Sequence, residues 1–187
     1  MKIALLGGSF NPIHNGHLEI IKELLNKQLV ERVWIIPCGN HAFNKKLADK
    51  EKRMKMINLA IGRNPLVKVN HVELNSRNKS YTSKTMKQLK KKFIDDFYFV
   101  IGADNLKDLN KWNDFKYLKE NVEFILVKRA KFKILDNLKI KIKGILELNN
   151  EISSSLIREN IQEGNLIKGL VPEKVEQFIF QEGLYYE

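Results

Sequence analysis

Short, nearly continuous apolar runs recur along the chain. Between them lie longer stretches in which apolar residues return every three or four positions. The runs Lys2–Leu6, Val33–Pro37, Val67–Val72, Phe97–Ile101, Val122–Val127 and Gly144–Leu148 read as strands. Their continuity predicts a sheet buried on both faces rather than one with a wet side. Leu18, Ile21, Leu24 and Leu25 mark one face of a first helix, Met54, Ile57 and Ile61 a second, and Met86, Leu89 and Phe93 a third. Helices are also expected over Ser153–Gln162 and Pro172–Gln181, the latter with Pro172 near its start and Gly183 just past its end. Strands alternating with helices predict an α/β fold with a doubly wound, mainly parallel sheet and C-terminal helices. No linker, repeat or low-complexity segment divides residues 1–187, so a single domain is expected. Lys128–Lys143 fits neither pattern and reads as a surface excursion.

Composition narrows the class. The chain is 43% hydrophobic and 29% charged, as a soluble globular domain is. No apolar run approaches the roughly 20 residues that span a bilayer, and Ile3-Ala4-Leu5-Leu6 is too short for a signal peptide. The single cysteine, Cys38, excludes an internal disulfide and fits a reducing compartment, so the cytoplasm is expected. The net charge of +11 invites a nucleic-acid reading. The lysines are spread over the whole chain, however, and no interleaved aromatic and basic platform accompanies them. The densest run, Lys90-Lys91-Lys92, ends a predicted helix, where cations suit the dipole. Neither a nucleic-acid nor a membrane partner is expected; a positive field also attracts a polyphosphate.

Candidate chemistry begins at Gly7-Gly8-Ser9-Phe10-Asn11-Pro12-Ile13-His14-Asn15-Gly16-His17, between the first strand and the first helix. Gly7 and Gly8 let the backbone turn sharply and approach a ligand closely. The helix start beyond them offers N–H groups and a positive dipole end, with His14 and His17 as further donors to phosphate oxygens. The segment is neither G-x-G-x-x-G nor G-x-x-x-x-G-K-[ST]. The histidine spacing is not H-E-x-x-H and no cysteine or carboxylate cluster completes a metal site. A second candidate is Ile152-Ser153-Ser154-Ser155-Leu156-Ile157-Arg158. Its serines suit a helix N-cap, and Arg158, within the first turn, suits an anion held at the helix start.

These segments carry a resemblance. Gly7–His17 resembles the (H/T)xGH signature of the nucleotidyltransferase α/β-phosphodiesterase superfamily, and Ile152–Arg158 is similar to its ISSTxIR element. Ile101-Gly102-Ala103-Asp104 with Trp112 resembles the GADxxxxxxxW element of bacterial nicotinate-nucleotide adenylyltransferases, and Ser80-Tyr81-Thr82 with Thr85 their SYTxxT element. Glu182-Gly183-Leu184-Tyr185 matches their usual ending, so the resemblance spans Met1 to Tyr185. It implies a Rossmann-like nucleotidyltransferase fold and transfer of AMP from ATP to nicotinate mononucleotide, giving deamido-NAD and pyrophosphate in NAD biosynthesis. The implied catalytic residues are His14, His17 and Arg158. Gly7, Gly8, Ser9, Phe10, Gly102, Asp104, Ser154 and Ser155 are implied to bind ATP. The mononucleotide falls to Thr82, Ser83, Trp112 and Asn113, with Trp112 stacked on the pyridine ring, and to Lys45 for its phosphate. Mg²⁺ is implied as a cofactor, held mainly by triphosphate oxygens and water.

The chain also departs from the family pattern. Asn11 stands where Asp is commoner, Ser155 where Thr is usual and Lys79 where Gly often precedes Ser-Tyr-Thr. The Pro-Pro-His part of the loop after the second strand is absent from Pro37–Lys46, leaving His41, Lys45 and Lys46 as candidates for its phosphate contact.

Overall fold

The computed structural model describes residues 1–39, 47–74, 79–129 and 139–186. Six strands form one sheet: β1 (Lys2–Gly8), β2 (Arg32–Pro37), β3 (Val67–Val69), β4 (Asp96–Gly102), β5 (Glu123–Arg129) and β6 (Lys141–Leu148). Their order is β3-β2-β1-β4-β5-β6, and every neighbouring pair is parallel. That is the doubly wound order of a Rossmann-like sheet. The strand expected over Val67–Val72 stops at Val69: Asn70 donates its N–H to Ile35 O, and its side chain then accepts from Val72 N–H, which turns the chain.

Alternation along each strand explains the two covered faces. Ala4 and Leu6 of β1, Tyr98 and Val100 of β4, and Ile125 and Val127 of β5 enter one core. Ile3 and Leu5, Phe97, Phe99 and Ile101, and Phe124 and Leu126 enter the other. The first core is closed by α1 (Asn15–Asn26), α2 (Lys50–Ile61), α5 (Ser154–Gln162) and α6 (Glu173–Gln181), through Leu24, Ile57, Ile157 and Val175 among others. The second is closed by α3 (Thr82–Lys92), a 3₁₀ helix (Ala103–Lys111) and α4 (Phe115–Asn121), through Met86, Leu106 and Leu118. Burying each such side chain contributes about 1.5–3 kcal/mol.

Part of the expected surface excursion is sheet. Lys128 and Arg129 complete β5, and Lys141–Lys143 open β6. The pattern misled because β6 is an edge strand: Leu146 and Leu148 are buried while Ile142 and Ile145 remain half exposed. No helix among the described residues is long and apolar enough to cross a membrane.

Candidate active site

Parallel strands of this order part company at their carboxyl ends between β1 and β4, and ligands bind in the crevice so formed. A cleft of about 480 Å³ opens there. Gly7, Gly8 and Ser9 form one wall, and Ile101 and Gly102 of β4 another. Gly102 leaves room at the β4 wall for the Asp104 side chain. A Cβ there would push the exposed Asp104 carboxylate aside. At the far end the cleft is lined by Tyr81, Thr82, Trp112 and Asn113.

Beside the glycine wall, α1 begins. His14 is its N-cap, with extended backbone (φ −144°, ψ 169°), and its side chain is 3% exposed. Its N–H donates to His17 Nδ1 at 3.2 Å. An Nδ1 that accepts leaves the neutral ring's proton on Nε2, so His17 has a fixed donor nitrogen. The two imidazoles lie against each other, tilted by 34°, with centroids 3.7 Å apart, and Phe10 packs on His17 at 4.9 Å. Gly16 makes this stack feasible, since a Cβ there would come within 3.1 Å of the His14 ring and 2.9 Å of Asn150 Oδ1. Phe10 itself is 1% exposed with φ 47°, so its ring serves the packing of the turn and only its backbone can meet a ligand.

The two chain ends meet at this turn. Arg158 Nη1 donates to Asn11 O at 2.8 Å, and Ser154 Oγ donates to Pro12 O at 2.8 Å. Ser153 is the N-cap of α5, accepting from Leu156 N–H, and Ser155 accepts from Arg158 Nη2 at 3.2 Å. The three serines therefore divide their work: one caps the helix, one ties it to the N-terminal turn and one orients the guanidinium.

Asn11, the departure noted above, is a hub. Its Oδ1 accepts from both Tyr185 OH (3.0 Å) and Ala48 N–H (3.0 Å). An amide oxygen suits both donors without introducing a negative charge beside Arg158. Burial pushes the Tyr185 phenol well above its usual range, against the opposing pull of Arg158 and Arg53, so it remains a donor. Tyr185→Phe is expected to lower stability by about 0.5–1.5 kcal/mol, measured by urea unfolding, with a smaller loss of turnover. An unchanged unfolding midpoint would show that the bond contributes nothing.

At the far end Ser83, 1% exposed, donates its hydroxyl to Asn113 Oδ1 at 3.0 Å, which fixes Asn113 beside Trp112. Trp112 meets Phe99 edge-on at 6.2 Å while also lining the cleft. The ring is therefore anchored on the second core and still presents surface to the cleft. Thr82 opens α3, so its N–H lies at a helix start. Asp104 is exposed at the start of the 3₁₀ helix. Lys45, with His41 and Lys46, lies outside the described residues.

Several residues of the site escaped the sequence reading. Glu73 lines the cleft and accepts the Thr85 hydroxyl at 2.5 Å; burial pushes its carboxyl up, partly offset by hydroxyl bonds from Thr85 and Ser80. Ser80 in turn accepts from Gly39 N–H at 3.2 Å. Asn105 and Lys111 also line the cleft. Ser80 and Thr85, both within the Ser80–Thr85 motif, gave the signal toward this network.

A cytidylyltransferase-like family model matches residues 5–160. A Geobacillus thermodenitrificans protein named probable nicotinate-nucleotide adenylyltransferase is 37% identical, the match covering 98% of this chain and 86% of that one. The Bacillus subtilis nicotinate-nucleotide adenylyltransferase is 34% identical, with 98% of each chain covered. The chain belongs to the nicotinate-nucleotide adenylyltransferase family. In structure it is similar to the Plasmodium falciparum nicotinic acid mononucleotide adenylyltransferase solved with NaAD, with a TM-score of 0.82, 25% identity and coverage of 98% of this chain and 97% of that one. For a member of this family, the cleft between β1 and β4 lies where such sheets hold nucleotides.

Proposed function

We propose that residues 1–187 act as one nucleotidyltransferase domain that transfers AMP from ATP to nicotinate mononucleotide, releasing pyrophosphate and forming deamido-NAD. Family membership supports the reaction. The observation that carries the assignment of residues is the convergence of Arg158 and Ser154 on the carbonyls of Asn11 and Pro12, beside His14 and His17. A cation fork, two imidazoles and a helix start gathered at one turn suit a triphosphate.

In this reading a phosphate oxygen of the mononucleotide attacks the α-phosphorus of ATP. The new O–P bond forms as the bond from the α-phosphorus to the bridging oxygen breaks, and the electron pair leaves with pyrophosphate. The nucleophile is already an anion, so no general base is required. His17, His14 and Arg158 stabilise the charge spread over the α- to γ-phosphoryl oxygens, and the glycine turn lets the backbone approach them. Asp104 holds a ribose hydroxyl beside Gly102. Trp112 stacks on the pyridine ring, and the N–H groups of Thr82, Ser83 and Asn113 hold its carboxylate, an anion placed at the start of α3. Lys45 neutralises the mononucleotide phosphate. The donor set near the cleft is rich in amides, hydroxyls and imidazoles. It fits Mg²⁺ carried in on triphosphate oxygens and water, where the ion supplies charge neutralisation.

The test is an acceptor panel with ATP and Mg²⁺, following pyrophosphate release. Nicotinate mononucleotide is expected to be used at least about tenfold more efficiently than nicotinamide mononucleotide, whose neutral carboxamide gains less from backbone N–H donors, with phosphopantetheine inert. Equal or faster use of either competitor sinks the acceptor assignment.

A further inference from the structure

We propose that Arg53 is a positioning residue for adenylyl transfer, its buried guanidinium setting the spacing between the ends of β1 and β2 that line the cleft. The inference rests on the reaction proposed above and concerns a residue with no place in it so far. Arg53 lies in α2 and is 2% exposed, among the largest fully buried side chains of the molecule. A buried cation is expensive unless paired, and its usual partner is a carboxylate. None of the ion pairs found among the described residues includes Arg53. Instead its fork is spent on three backbone carbonyls. Nη1 donates to Ser9 O at 2.7 Å, Nη2 to Cys38 O at 2.9 Å and Nε to Ala48 O at 3.1 Å.

The location of those carbonyls gives the arrangement its meaning. Ser9 follows β1 and Cys38 follows β2, and both line the cleft. Ala48 precedes α2 and donates its own N–H to the Asn11 side chain. One planar, rigid group therefore fixes the phosphate turn, the neighbouring strand end and the segment that anchors Asn11. The segment after β2 is tied further nearby: Cys38 N–H donates to Gly8 O at 2.9 Å, and Gly39 N–H to the Ser80 hydroxyl at 3.2 Å. An apolar side chain of similar volume would leave these three carbonyls without a donor, so the position calls for a group with several N–H donors. A fork that must hold three carbonyls at fixed separations does call for arginine, and lysine cannot reproduce it.

The experiment compares the wild-type chain with Arg53→Lys. Each is characterised by thermal unfolding, by calorimetric binding of inorganic tripolyphosphate, and by kcat and KM for ATP referred to the folded fraction. Lysine keeps the charge and loses the fork. The variant is expected to stay folded, to bind tripolyphosphate within about threefold of wild type, and to lose about 10²-fold in kcat/KM for ATP, mostly in kcat. Wild-type kinetic constants per folded molecule, with only the melting temperature lowered, would assign Arg53 to stability and overturn the proposal. Should Arg53→Lys not fold, Arg53→Gln is measured in the same way; failure of both to fold has the same meaning. Absence of pyrophosphate release by the wild-type chain would instead strike the reaction assigned above.

Discussion

His17→Ala is expected to lower kcat about 10²–10³-fold while changing the KM for ATP by no more than about threefold. The asymmetry follows from geometry. The Nδ1 of His17 accepts the His14 N–H, so the proton of the neutral ring sits on Nε2, and packing against His14 and Phe10 holds the ring in place. A donor held that way requires no reorganisation when charge grows on the phosphoryl oxygens, and its benefit is greatest at the transition state. In the ground state the glycine turn, the helix start and Arg158 still hold the triphosphate. Rates from stopped-time pyrophosphate assays at saturating ATP decide the matter, and turnover equal to wild type removes His17 from the mechanism. The alanine also leaves the His14 N–H without its acceptor, at about 1 kcal/mol, so rates must be referred to folded protein.

Arg158→Ala is the second large effect. A loss of about 10²-fold in kcat/KM for ATP is expected, with a rise in KM contributing more than in the His17 variant. A guanidinium attracts the triphosphate before as well as during the reaction, and it sits where α5 meets the Asn11 turn. The partners it leaves behind are the carbonyl of buried Asn11, which loses a donor at about 1 kcal/mol, and the exposed Ser155 hydroxyl, which water can satisfy. The melting temperature should therefore fall by only a few degrees. Unfolding of the variant at 25 °C, or ATP kinetics identical to wild type, contradicts this role. Arg158→Lys should recover part of the binding but less of the rate, because an ammonium lacks the fork that engages Asn11 O and Ser155 together.

The strands and most helices could be read from the sequence because the sheet is buried on both faces, which leaves apolar runs with sharp ends. The strand–turn–helix course of Gly7–His17 was equally readable, since its glycines and histidines lie within one short stretch of chain. Elsewhere the signal lies outside the local window. Arg53 sits in Lys50-Glu51-Lys52-Arg53, which looks like any solvated helix start, and only the fold reveals that its side chain is turned inward. The helix α4 is seven residues long and buries only Leu118, too little to create a period. Lys141–Lys143 alternate like a surface segment because one face of β6 is incompletely covered. Asn11 reads as a departure from a motif; that its amide oxygen serves two distant segments is a property of the tertiary structure.

The anchoring of Tyr185 on Asn11 joins residues 174 positions apart. Arg158 reaches the same turn across 147 positions. A chain still being synthesised, with everything through β6 outside the ribosome, already owns the glycine turn and both histidines but lacks Arg158, α5 and the tyrosine that locks the turn. If the triphosphate binds as proposed, its site forms only after α5 and Tyr185 have docked, and ATP is expected to act as a late clasp on folding rather than a seed for it.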